Sequence, residues 1–233
     1  KREGLNGVNY LTPYPILRRY SLMGLEDDKK KMFIQEIIGE MKEHEIEGLY
    51  YYLNLGFMAS GIGDEDTSYD MIPFLSHEAL GGIMIDERLD VLERLKDSIH
   101  SEERLASTLH QIGMVYQSKG DYKKAFSYYK EALEIFKRYN DIKFTMTAYN
   151  NIIDALLKDK RLEDAEGYII DALSMEKQLL HLSPGIVIPN TLRTLRFAME
   201  IKDRAKDKTT IEGLLSSQDF KILIDSLKED SGI

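Results

Sequence analysis

Acidic and hydroxyl side chains alternate in the first half of the chain, with the spacing of the oxygen ligands that open a calcium-binding loop. The alternating residues are Asp64, Asp66, Ser68 and Asp70. A calcium loop also needs a glycine at its sharp turn and a bidentate glutamate at its end. Tyr69 and Leu75 stand at those two positions. We therefore interpret the stretch as a solvated acidic loop that binds no metal.

Other signatures of catalysis are incomplete. His77-Glu78 lacks the second histidine at helical spacing that a zinc site needs. The segment Gly61-Ile62-Gly63 lacks the preceding strand and the further glycine of a phosphate-binding loop. The absence of cysteine excludes thiolate metal sites, a cysteine nucleophile and disulfides. The sequence therefore predicts no catalytic residue, no metal and no cofactor, and we expect a protein that is not an enzyme.

Composition and charge narrow the range of partners. The 233 residues are 43% hydrophobic, which is ample for a buried core. Asp and Glu total 40 against 31 for Lys and Arg, and the formal net charge of -9 disfavours a direct nucleic-acid partner, whose phosphates need a basic surface. No apolar run approaches the roughly 18 residues of a membrane span, and residues 1–10 lack a signal-peptide core. We expect a cytoplasmic protein that does not bind a membrane.

Helical periodicity dominates the chain. Apolar residues at helical spacing predict an amphipathic helix over Asp27–Ile46, another from Ile46 to about Ser60, and a third from about Asp86 to His100. Glycines and acidic residues predict a loop over Gly61–Ile72. No alternating, β-branched strand pattern appears, so the sequence predicts an all-α fold.

A pattern of small and large residues repeats in the second half of the chain. Its first unit contains Leu109, Ile112, Gly113, Tyr116, Ala125, Tyr129 and Ala132. The pattern returns about 40 residues later as Tyr149, Ile152, Ile153, Leu156, Ala165, Ile169 and Ala172. The small residues allow two antiparallel helices to approach to about 8–10 Å. Gly120-Asp121 is typical of one helix ending and the next beginning.

These residues resemble the tetratricopeptide repeat family, in its longer variety of about 40 residues rather than the usual length of about 34. The resemblance extends from about Leu105 to Leu180. It departs from the family pattern where Leu109 and Tyr149 replace the tryptophan and Ile153 replaces the small residue. The family's fold implies antiparallel helix pairs stacked into a right-handed α-solenoid.

The same register divides the chain into three parts. Residues 1–100 are expected to form a degenerate helical part of the solenoid, with the 61–72 loop as an insertion, and residues 101–182 two well-matched repeats. Residues 183–233 are expected to form a degenerate third repeat, because Arg193 replaces its small residue, and a capping helix over Phe220–Leu227. Such a cap covers the last apolar face of a repeat array.

The resemblance also implies a binding face, because the family binds extended peptides or partner helices on the concave side lined by the first helix of each pair. The residues expected on that side are Ser107, His110, Met114, Gln117, Thr147, Asn150, Asp154, Lys158, Asn190 and Thr194. His110, Asn150 and Asn190 are equivalent by the repeat spacing, and an amide can both donate to and accept from a peptide backbone. We hypothesise a ladder of peptide-holding groups, with ordinary solvated helix residues as the alternative. The family's basic pair for gripping a carboxylate is absent, so recognition of a chain-terminal acidic motif is not expected.

Three functional classes follow. The first is a non-catalytic scaffold that captures a protein or peptide in its concave groove. The second is a ligand-sensing regulatory domain of a larger transcription regulator or signalling ATPase, suggested by a chain that begins at Lys1 rather than at methionine. The third is an enzyme with its site in the region of Asp64–His77. The sequence leaves open whether exposed end helices pair two chains into a homodimer.

Overall fold

The computed structural model describes residues 49–77 and 80–231. The helix predicted over Asp27–Ile46 lies outside these described residues. All regular structure within the two ranges is helical, and no helix there has the length and apolar character needed to cross a membrane. The chain divides into two compact units, with the boundary between Arg104 and Leu105.

Ten helices occupy the described ranges. The first unit contains α1 (Leu49–Ile62), α2 (Glu65–Ser76) and α3 (Ile85–Asp97). α4 (Glu102–Lys119) begins just before the boundary, and the second unit continues with α5 (Tyr122–Arg138), α6 (Ile142–Lys158), α7 (Leu162–Leu179), α8 (Pro184–Ile201), α9 (Lys208–Leu215) and α10 (Lys221–Ser231). α1 and α3 correspond to the helices predicted to end near Ser60 and His100.

The loop predicted over Gly61–Ile72 is wrong, because most of that segment belongs to helix α2. Asp64 is the N-cap of this helix, and its carboxylate accepts hydrogen bonds from the Thr67 backbone N–H at 3.2 Å and from the Thr67 hydroxyl at 2.8 Å. Glu65 and Asp66 occupy the first turn, where the helix dipole favours negative charge. The acidic residues therefore begin a helix rather than forming a loop, while an insertion into the repeat register stays a prediction.

Close packing in the first unit depends on a glycine and a buried arginine. A β-carbon added at Gly56 of α1 would lie 2.9 Å from Val91 Cγ1 of α3, so the two helices meet at that point. Arg88 is buried, and its guanidinium donates to the backbone oxygens of Leu75 at 2.6 Å and Gly81 at 2.9 Å. These bonds fix the described part of the link between α2 and α3.

Helix pairs in the second unit follow the predicted repeat. α4 meets α5 at Gly113, where an added β-carbon would lie 2.7 Å from the Tyr129 ring. Gly120 lies between them with a φ of 84°, and the Asp121 side chain caps α5. α6 and α7 form the second pair, and Asp141 caps the first of them. The all-α fold of sequentially packed helix pairs is thus confirmed.

A third pair and a final helix complete the described part of the second unit. α8 packs against α6 and α7 and buries Val187 and Leu195. Its partner α9 has only eight residues, so this pair is less regular than the two before it. α10 packs against α8, and Phe220 and Leu227, the bounds of the predicted capping helix, are both buried.

Replacing the glycine at the α4–α5 contact tests this packing. Gly113→Ala is expected to lower the free energy of unfolding by about 1–3 kcal/mol, because the new methyl group overlaps the Tyr129 ring. Gly167→Ala on α7 is the matched control, since nothing lies within 4 Å of its added β-carbon. That change should be neutral or stabilising by up to about 1 kcal/mol. Urea denaturation followed by circular dichroism measures both, and equal stabilities would contradict the close contact.

Candidate partner-binding face

Polar side chains of α4, α6 and α8, the first helices of successive pairs, form the candidate site. Seven of the ten predicted residues reach solvent and define what we call the first-helix face: Ser107, Met114, Gln117, Thr147, Asp154, Lys158 and Asn190. The other three, His110, Asn150 and Thr194, are buried. The predicted set therefore divides into residues at the surface and residues between the helices.

Three residues connect the three first helices. Arg193 Nη1 donates to Asn151 Oδ1 at 3.2 Å, and Asn151 Nδ2 lies 3.0 Å from His110 Nε2. Because a guanidinium only donates, Asn151 presents its oxygen to Arg193 and an N–H to His110. Nε2 is therefore the acceptor, and the neutral ring carries its proton on Nδ1. That nitrogen is buried with no hydrogen-bond partner among the described residues.

Burial lowers the pKa of His110 to about 4. The ring centroid lies 5.1 Å from that of Tyr129 and 6.2 Å from that of Phe136, so its surroundings are aromatic. The imidazole is neutral at pH 7. As the pH falls from 6.5 towards 4, the unfolded chain gains a proton that the folded chain does not, and this residue then lowers the stability of the fold.

A second polar connection runs from α5 through α4 to α6. The Tyr129 hydroxyl donates to Gln117 Oε1 at 2.9 Å, and Gln117 Nε2 donates to the Asp154 carboxylate. Asp154 also accepts from Lys158 Nζ at 2.8 Å. The fold therefore brings the predicted site residues Gln117, Asp154 and Lys158 together. The hydrogen bond from Tyr129 of α5 orients this group.

The predicted ladder residues Asn150 and Asn190 contact each other. Asn150 is fully buried, and its Nδ2 lies 3.2 Å from both the backbone oxygen and Oδ1 of Asn190. Thr194 Oγ1 lies 3.2 Å from Asn150 Oδ1 and 2.9 Å from Glu176 Oε1. We call these four residues the polar joint, because they connect α6, α7 and α8. Direct contact of Asn150 or Thr194 with a partner stays a prediction.

Glu176 places an acid inside the polar joint. Its side chain is fully buried, and burial raises its pKa to about 8, although the hydrogen bond from Thr194 acts in the opposite direction. Oε2 has no hydrogen-bond partner within the described ranges. Glu176 is therefore largely a neutral carboxylic acid at pH 7.

Sequence reasoning missed Asn151, Arg193 and Glu176. Helical spacing could have found Asn151, because it lies four residues after Thr147 and three before Asp154, which places all three on one face of α6. In the sequence, Arg193 stands out only as a departure from the repeat pattern. Nothing in the sequence points to Glu176, because its burial depends on how α8 packs against α7.

Stacked helix pairs whose first helices share a polar face define a helical repeat protein. Residues 91–138, which include α4 and α5, match the family model described as tetratricopeptide repeat. This part of the chain therefore contains a tetratricopeptide repeat, and the resemblance seen in the residue pattern is confirmed over residues 91–138.

The chain is also similar to part of a longer protein. It is 29% identical over 104 residues to protein O-mannosyl-transferase TMTC2 of Homo sapiens. The aligned stretch is 43% of this chain and spans only 12% of the relative's length. The transferase activity in that name is a property of the relative.

Glu176→Gln tests the buried acid. The contribution of Glu176 to wild-type stability should fall as the pH rises from 4.5 towards 8, because the unfolded chain releases the Glu176 proton while the folded chain retains it. Glutamine keeps the shape of the neutral acid and does not ionise. The variant should therefore gain about 3 kcal/mol relative to wild type between pH 5 and pH 8. Denaturation at the two pH values measures this gain.

The control for this experiment is Glu131→Gln, which removes an exposed carboxylate from α5. Its stability relative to wild type should be nearly the same at pH 5 and pH 8. A similarly constant difference for Glu176→Gln would show that Glu176 is ionised in the folded protein.

Proposed function

We propose that this chain is a non-catalytic binding module that holds a protein or peptide segment against its first-helix face. The observation that carries the proposal is the continuous hydrogen-bonded connection of α4, α6 and α8 through His110, Asn151 and Arg193. Because these bonds hold the helices behind the face, its exposed groups are already oriented before a partner arrives. Such preorganisation reduces the entropy that binding costs.

The chemistry of the first-helix face suits an extended peptide. Gln117 and Asn190 carry amides, and an amide can donate to and accept from a peptide backbone. Met114 is half-buried and offers apolar contact, and methionine adapts well to irregular surfaces. Tetratricopeptide repeats generally mediate contacts between proteins, which supports this choice of partner class.

Three further expectations from the sequence stay predictions. In the regulatory-domain alternative, the captured segment would control a larger transcription regulator or signalling ATPase. A cytoplasmic location and the pairing of two chains are likewise untested. We propose neither a direct nucleic-acid partner nor a membrane partner.

Blocking the first-helix face tests the proposal. Ser107→Arg combined with Thr147→Arg places two large side chains on α4 and α6, where a bound segment would lie. Ser127→Arg with Ser174→Arg is the control, because it also introduces two arginines, at exposed positions of the second helices α5 and α7. Peptides selected on wild type from a random library would be measured by fluorescence anisotropy against all three proteins.

The blocked variant should bind the selected peptides at least about tenfold more weakly, which corresponds to roughly 1.4 kcal/mol. The control variant should bind them as wild type does. Equal weakening by both variants would place the binding elsewhere and overturn the proposal. Circular dichroism confirms that all three proteins remain equally helical.

A further inference from the structure

A cleft in the second unit lies between the α6–α7 turn and the link that joins α8 to α9. Its volume is about 460 Å³. Four cationic side chains, from Lys160, Arg161, Arg204 and Lys206, line it together with the first turn of α7. We call it the turn cleft. It concentrates positive charge locally in a chain whose formal net charge is -9.

The three carboxylates that also line the turn cleft are already engaged within the protein. Both oxygens of Glu166 accept from backbone N–H groups of the α8–α9 link, at 2.7 Å and 2.6 Å. Asp164 accepts from Arg161 Nε at 2.8 Å. Glu163 lies 3.8 Å from Lys206 Nζ. Arg161 is therefore held by a short ion pair, whereas the pair of Glu163 with Lys206 is long and both of its side chains are 77% exposed.

The remaining cations are Lys160 and Arg204. Lys160 makes no ion pair within the described part of the chain. The contact of Arg204 Nη2 with Glu200 is long, at 3.9 Å, and the two side chains are 62% and 58% exposed. Exposed pairs of this kind contribute little to stability. An incoming carboxylate can therefore replace Glu200 as the partner of Arg204 at little cost in free energy.

The backbone of α7 supplies further donors at the same place. Its N-cap residue, Arg161, makes no side-chain capping bond. By contrast, Asp121, Asp141 and Asp207 cap α5, α6 and α9 with their carboxylates. The first N–H groups of a helix need an acceptor, and the helix dipole makes a negative one favourable. The residues of this first turn line the same cleft as Lys160 and Arg204.

We propose that the turn cleft binds an acidic segment of a partner protein through the carboxylates of its Asp or Glu side chains. A guanidinium binds a carboxylate through two parallel hydrogen bonds, and the Lys160 ammonium adds a second positive charge. Single carboxylates fit better than phosphates, because Glu163, Asp164 and Glu166 would repel a more highly charged group. This site is independent of the first-helix face and of the function proposed for it.

Neutralising the two available cations tests the proposal. The variant is Lys160→Asn with Arg204→Gln, and asparagine suits position 160 because its backbone has a positive φ of 61°. The matched control is Lys123→Gln with Lys130→Gln, which removes the same charge from exposed positions on α5. A labelled short oligoglutamate peptide, and oligoglutamine of equal length, would be titrated with each protein at about 0.15 M salt.

The wild-type protein should bind oligoglutamate and not oligoglutamine, and the cleft variant should bind it at least about tenfold more weakly. The control variant should change the affinity less than about twofold, since distant exposed charges are screened. Equal weakening by both variants, or equal binding of both peptides by wild type, would overturn the proposal. Displacement of the peptide by inorganic phosphate at lower concentration than by acetate would also overturn it, in favour of a phosphate site.

Discussion

The contact of Tyr129 with Gly113 is the constraint on which the second unit depends. The ring lies where a β-carbon would stand, so α4 and α5 can approach only because position 113 has no side chain. The same tyrosine reaches past the contact and donates to Gln117, which in turn donates to Asp154 of the next pair. One residue therefore sets both the spacing within a pair and the orientation of polar groups on the neighbouring pair.

Polar bonds set how successive pairs are aligned, because they have a direction that apolar contacts lack. Asn150, Glu176 and Thr194 are buried together, and a buried polar group that loses its partner costs free energy. Sliding α8 along α6 by one residue would break the bonds of Asn150 and Thr194 at once. Glu176 can lie in this joint because burial keeps it largely protonated.

The two candidate surfaces of the second unit differ in chemistry for a structural reason. The first-helix face lies along helix sides, where repeated amide and hydroxyl residues give a nearly neutral surface. The turn cleft lies at helix ends, where positive backbone dipoles and the basic residues near Lys160 and Arg204 come together. The two surfaces therefore offer different chemical groups to a partner.

The sequence by itself determined the helix-pair repeats, because the small residues Ala125 and Ala132 recur as Ala165 and Ala172, at a spacing that close helix packing explains. The loop predicted over residues 61–72 was wrong, because Asp64 and its acidic neighbours are typical of both loops and helix starts. The burial of one side of α2 decides in favour of a helix. At the site, the repeat register identified α6 but selected Asn150, which is buried, rather than Asn151, which reaches solvent. Adjacent helix residues point in directions about 100° apart, and only the packing of α8 against α6 decided which amide is buried.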